Sequence, residues 1–148
     1  MKKLNKWWII AVSWCLAIAI ATRRPGLTGE STESFFDFIV FIDPEIMNYF
    51  FRKGVHLASF GLLAIFFFMA LDRIRRRKVR YYVAWILASI YGAIDEFHQS
   101  FLPDRTASVL DVFINSLGAC LALMIVHICY ISELEKRRRM LRSRQLEM

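Results

Sequence analysis

The stretch YYVAWILASIYGAIDEFHQSFLP, Tyr81 to Pro103, decides the fold of this chain. It is apolar only from Tyr81 to Ile94. Those residues reach about 21 Å as a helix, short of a hydrocarbon core about 30 Å thick. The helix is therefore expected to continue through Asp95, Glu96, Phe97, His98, Gln99, Ser100, Phe101 and Leu102 and to end near Pro103. Read this way, the stretch is a membrane span carrying two adjacent carboxylates.

Three further apolar stretches surround it. Trp7–Ala21 follows Lys2, Lys3 and Lys6 and looks like a signal peptide, with Ala19-Ile20-Ala21 as a cleavage site. Cleavage would leave three spans and an external C-terminus, which the charges described below oppose. Gly54–Leu71 is apolar except for His56 and Ser59, and Val109–Ile131 carries Asp111, Asn115 and His127. The expectation is an all-α membrane protein, a four-transmembrane-helix bundle. Its spans fall at about 5–22, 54–71, 81–102 and 109–131 within one domain over 1–131, followed by a basic cytoplasmic tail over 132–148. A hydrophobic content of 57% with a mean hydropathy of +0.39 excludes an ordinary soluble domain of 148 residues.

Orientation follows from the connections. The segment before Trp7 holds three lysines. The loop Asp72–Arg80 holds Arg73, Arg75, Arg76, Arg77, Lys78 and Arg80 against one acid. The tail holds Lys136, Arg137, Arg138, Arg139, Arg142 and Arg144. The other two connections are balanced or acidic, so the basic segments alternate and both termini are expected in the cytoplasm of a bacterial plasma membrane. A net charge of +7 in a soluble protein would suggest nucleic acid. Distributed in short loops it does not, and no nucleic-acid partner is expected. In the long first external connection, Phe35, Phe36, Phe38, Ile39, Val40, Phe41 and Ile42 are too few to span and are expected to form a short interfacial helix, either a strap or a lid.

Polar residues recur at one depth. Lys53, His56 and Ser59 share a face at the start of the second span. Asp95, His98 and Gln99 share a face of the third, with Glu96 three residues before Gln99, and Asp111 and Asn115 share a face of the fourth. Asp95 and Asn115 each lie about 10 Å from the outer ends of their spans. Gly118 and Ala122 sit one turn below Asn115 and permit close helix approach. Lys53 and Arg105 offset two of Asp95, Glu96 and Asp111. Charges inside a span face the bundle interior and pair, so the cluster is either an ion-pair network or a site. A proton path is disfavoured, because the inner halves offer mainly Ser89 and His127. No metal-ligand spacing, nucleophile elbow, phosphate loop or redox motif occurs, and Cys15, Cys120 and Cys129 lie scattered in apolar runs. No metal or cofactor is expected.

Several motifs stand in a familiar order. Glu96 and Gln99, then Pro103 and Arg105, then Asp111, Asn115 and Gly118 follow Lys53, His56 and Phe60. This series resembles the VanZ-like membrane protein family, with its D/E-x-x-Q block, Pro-Gly-Arg turn and D-x-x-x-N-x-x-G helix. Asp104 stands where the turn usually has Gly, and Ala122 where a second Gly is common. The resemblance implies a small multispan protein of the bacterial cell envelope. The namesake is associated with resistance to teicoplanin, a lipoglycopeptide.

The binding residues expected are Lys53, His56, Glu96, Gln99, Arg105, Asp111 and Asn115, and the partner a membrane lipid, a lipid-linked precursor or the lipoglycopeptide itself. Two alternatives stand beside this non-catalytic reading. One is a membrane enzyme acting on a lipid-linked substrate, with Glu96 or Asp95 as general acid/base assisted by His56 or His98. The other is an accessory subunit of an envelope complex.

Overall fold

The computed structural model describes residues 5–23, 43–101 and 108–146; the side chains of 44–45 and 142–146 are outside that description. Among the described residues there are four helices, α1 (Lys6–Arg23), α2 (Pro44–Ala70), α3 (Arg77–Gln99) and α4 (Val109–Leu146). The apolar run 35–42, expected as an interfacial helix, lies outside the described residues.

Three of the helices begin at residues that favour a start, while α3 follows Arg76 with no side-chain cap. Asn5 caps α1, its Oδ1 accepting the Trp7 N–H at 3.2 Å. Pro44 opens α2 at the one helical position where a missing N–H costs nothing. Ser108 caps α4, its hydroxyl accepting the Leu110 N–H at 3.2 Å. Asp111 in the first turn of α4 suits the positive end of the helix dipole.

Four boundaries differ from the sequence reading; α3 starts at Arg77 rather than Tyr81, taking in residues expected in the loop. α2 starts ten residues before Gly54, because nothing between Pro44 and Lys53 breaks a helix. α3 stops at Gln99 rather than Leu102, with Ser100 and Phe101 forming a turn. α4 passes Ile131 without a break and runs 38 residues, about 57 Å. Hydropathy falls at Ser132, but Glu, Lys, Arg, Leu and Met sustain the helix beyond it.

Cross-helix pairs fix the packing order. The Trp14 indole N–H donates to the Ser59 carbonyl at 3.0 Å, and Trp8 packs on Phe67. The Trp85 indole donates to the Ser116 carbonyl at 3.2 Å, and Ser89 and Ser116 exchange a hydrogen bond at 2.9 Å. Thus α1 and α3 run one way, and α2 and α4 the other. α2 is the hub and touches all three partners; α1 and α4 do not meet. Phe60 and Leu63 of α2 are fully buried, among Ala11, Ala84, Ala88 and Ala119 from the other helices.

Close approach explains the small residues. A Cβ built on Gly118 would run into the Leu57 backbone carbonyl, and one on Gly61 would press on Ala122 and Gly118 at 3.1 Å. α2 and α4 therefore meet backbone to backbone. Outward, α4 exposes Phe113, Leu117, Leu121 and Ile125 in an unbroken apolar stripe, and α1 exposes Ile9, Val12, Leu16 and Ile20. Such surfaces need lipid, not water. α1, α2 and α4 are long and apolar enough to cross a membrane. α3 has the length, but it carries Arg77, Lys78 and Arg80 at one end and Asp95 and Glu96 at the other.

Candidate functional site

The helix ends bearing Arg23, Lys53, Glu96 and Asp111 gather at one pole of the bundle, the polar end. The opposite pole, holding Arg77 and Arg80, is the basic end.

At the polar end, the Lys53 ammonium binds the Asp111 carboxylate and tethers α2 to α4. The same ammonium lies 5.0 Å from the centre of the Tyr49 ring. One turn on, His56 stacks on Phe60 with ring centres 6.3 Å apart. His56 also faces Asn115, yet neither atom of the Asn115 amide is in hydrogen-bond geometry with it.

The two carboxylates of α3 are both buried and have different company. Asp95 accepts from the Gln99 amide at 2.9 Å and lies 3.2 Å from the Thr22 hydroxyl of α1. That hydroxyl is also 3.0 Å from the Ile18 carbonyl, so its single proton serves one acceptor at a time. Glu96 accepts the Ser108 backbone N–H at 3.4 Å through Oε2. Its Oε1 is buried and finds no hydrogen-bond partner among the described residues. Asn115 is completely buried over Gly92, and both its amide atoms are likewise unpartnered, as is Nδ1 of His56.

Leaving a buried polar atom unpaired costs about 1–3 kcal/mol, more for a charged one. Four such atoms on Glu96, Asn115 and His56 are therefore a concentrated deficit at one level of the bundle. Lys53 and Asp111 satisfy each other, and Asp95 is served by its neighbours. The free chemistry thus narrows to a carboxylate oxygen, a primary amide and a ring nitrogen. These groups accept from and donate to a ligand bearing hydroxyl, amide or amine groups.

Among the residues singled out in the sequence, Lys53, His56, Glu96, Asp111 and Asn115 lie at this end on three helices. Gln99 is buried against Asp95. His98 points outward, and its Nε2 accepts from Arg23 at 2.9 Å. Arg105, with Pro103 and Asp104, lies outside the described residues. Among the described residues no group of three or more His, Cys, Asp or Glu side chains is placed to hold a metal ion. The sequence reading gave α1 no part in the cluster: Thr22 closes the first span there and Arg23 belongs to the external connection, yet they meet Asp95 and His98. A threonine and an arginine at the apolar boundary, opposite a span with unmatched acid, were the available signal.

Fold and site define a helical membrane protein with a buried polar layer near one end of its bundle. A model of the VanZ/LLP1 family matches residues 7–130, and the chain belongs to that family. The matched range contains every residue of the polar layer. An uncharacterized protein of Schizosaccharomyces pombe is 34% identical over 87 residues, covering 58% of this chain and 52% of the relative. The chain thus spans about half the length of that curated relative. No solved structure matches it.

Proposed function

We propose that this chain is a four-span protein of the plasma membrane, both termini in the cytoplasm, whose polar end holds the headgroup of a membrane lipid or lipid-linked precursor in the outer leaflet. The unsatisfied Glu96 oxygen and the unpartnered Asn115 amide, which packs against Gly92 one turn along α3 from Glu96, carry the reading. A ligand offering hydroxyl, amide or amine donors removes that deficit, and its tails stay among the exposed apolar stripes. The basic connections support the orientation, because cations favour the cytoplasmic side. With α3 as the fourth crossing, its two charged ends fall toward the two membrane surfaces. The teicoplanin association of the VanZ-like family supports a role at lipid-linked wall precursors in a bacterial host.

The test joins lipid retention to antibiotic response. Parent and Glu96→Gln are expressed in a susceptible Gram-positive host, purified in mild detergent, and their retained lipids identified. The parent is expected to retain a defined lipid class and to lower sensitivity to teicoplanin more than to vancomycin, which lacks the acyl chain. Glu96→Gln is expected to lose both while melting like the parent. Equal lipid retention by the two proteins would refute the site.

A further inference from the structure

A cavity lies on the basic-end side of the polar layer. It is an open-sided groove of about 530 Å³ between α3 and α4, on the half of the bundle toward the basic end. Tyr81, Tyr82 and Trp85 form one wall, on a single face of α3. Cys120, Met124 and Ile128 stand on the facing side of α4. The volume falls in the range of small-molecule sites, about 300–1,000 Å³.

The groove is built rather than incidental. Tyr81 stacks on Phe68 with centres 4.5 Å apart and meets His127 edge-on at 5.5 Å. Its hydroxyl accepts from Arg77 at 3.0 Å, and the hydrogen bond to Ser116 fixes Trp85. The walls therefore stand in place without a ligand.

The charges at the mouth divide cleanly. Arg77 is committed inward: its guanidinium lies 3.2 Å from the Tyr130 ring centre. Arg80 is committed too, donating to the Phe68 carbonyl and lying over the Phe68 ring. Lys78 lines the groove and has no hydrogen-bond or ion-pair partner among the described residues. It belongs to the run Arg73, Arg75, Arg76, Arg77, Lys78 and Arg80, which Asp72 alone opposes. An ammonium unpaired among the described residues, above an apolar trough between the aromatic face of α3 and the Cys120, Leu123, Met124 and Ile128 face of α4, complements an amphiphile with an anionic head and an alkyl tail.

We infer that the α3–α4 groove is a binding site for an anionic phospholipid, its phosphate on Lys78 and one acyl chain along Tyr82, Trp85 and Cys120. The site is separate from the polar layer, and its occupant differs from a precursor lipid in needing only a negative headgroup.

The test uses purified full-length protein in neutral detergent, with phosphatidylglycerol and phosphatidylcholine of identical chains as probes, read by native mass spectrometry. The parent is expected to retain phosphatidylglycerol about fivefold better, the worth of one cation near an anionic surface. Lys78→Gln is expected to bring retention down to the phosphatidylcholine level. Cys120→Trp fills the trough from an exposed position and is expected to release both lipids, whereas Cys120→Ser is expected to retain them. Size exclusion and melting confirm that each variant is folded. Equal retention of the two lipids by the parent, or undiminished phosphatidylglycerol on Cys120→Trp, overturns the site. A dimeric parent that Cys120→Trp renders monomeric overturns it as well, by assigning the groove to a second copy. Glu96→Gln is run alongside and is expected to keep its phosphatidylglycerol, so failure of the polar layer and failure of the groove are read separately.

Discussion

Lys53 and Asp111 stand 58 positions apart and form the ionic bond between α2 and α4. Both are mostly screened from solvent, with side-chain exposures of 20% and 17%. Removing one partner leaves the other charge in a poor solvent. Lys53→Met or Asp111→Leu alone is expected to cost about 2–3 kcal/mol of stability. The double substitution is expected to cost less than the two singles added together. Denaturation in detergent across the four proteins gives the coupling; strict additivity would mean that the pair contributes nothing.

Gly54 and Gly118 provide a matched pair. A Cβ at Gly54 meets nothing within 4 Å, while at Gly118 it strikes the Leu57 backbone. Gly54→Ala is expected to be neutral or to stabilise by about 0.5–1 kcal/mol through helix propensity. Gly118→Ala is expected to destabilise by about 1–3 kcal/mol through overpacking. Melting temperatures moving in the same direction would contradict the backbone contact.

Thr22 holds α1 to a carboxylate that the rest of the bundle does not fully serve. Thr22→Val keeps the shape and removes the donor. The expected cost is about 1 kcal/mol. Hydrogen exchange is expected to rise in α1 while α4 stays protected, since α1 does not touch α4. Uniform loosening of all four helices would show that Thr22 acts on the whole core.

Reporter fusions test the orientation. Fusions after Arg77 and after Leu146 are expected to read internal, and a fusion after Leu102 external. An external C-terminus, or a mature chain starting at Thr22, would reverse the assignment of the polar end to the outer leaflet.

Much of this was legible in the sequence because lipid exposes simple patterns. The apolar stretches mark α1, α2 and α4, and the acids that break the third stretch mark the polar layer. Gly118 could be flagged from its spacing to Ala122. Gly61 could not, since its importance comes from the particular depth at which α2 meets α4. Arg77 was read as a loop charge, but it lies inside α3, among Phe68, Tyr81 and Tyr130. No local pattern reports a cation shared by aromatic rings from three helices. The length of α2 was missed for another reason. Pro44 is a start signal as well as a break, and reading it as the former recovers the extra turns.

The uninterrupted α4 has a mechanical consequence. Gly118 packs directly against the Leu57 backbone, the closest approach of α4 to α2 at the glycines described, and a tilt of α4 would turn about that contact. From there the rod continues to Leu146, about 42 Å away. A tilt of about 10° there would sweep the far end through about 7 Å. A fluorophore on the distal turns would therefore magnify sub-ångström adjustments around Asn115, three residues from Gly118, into a displacement that energy transfer can resolve.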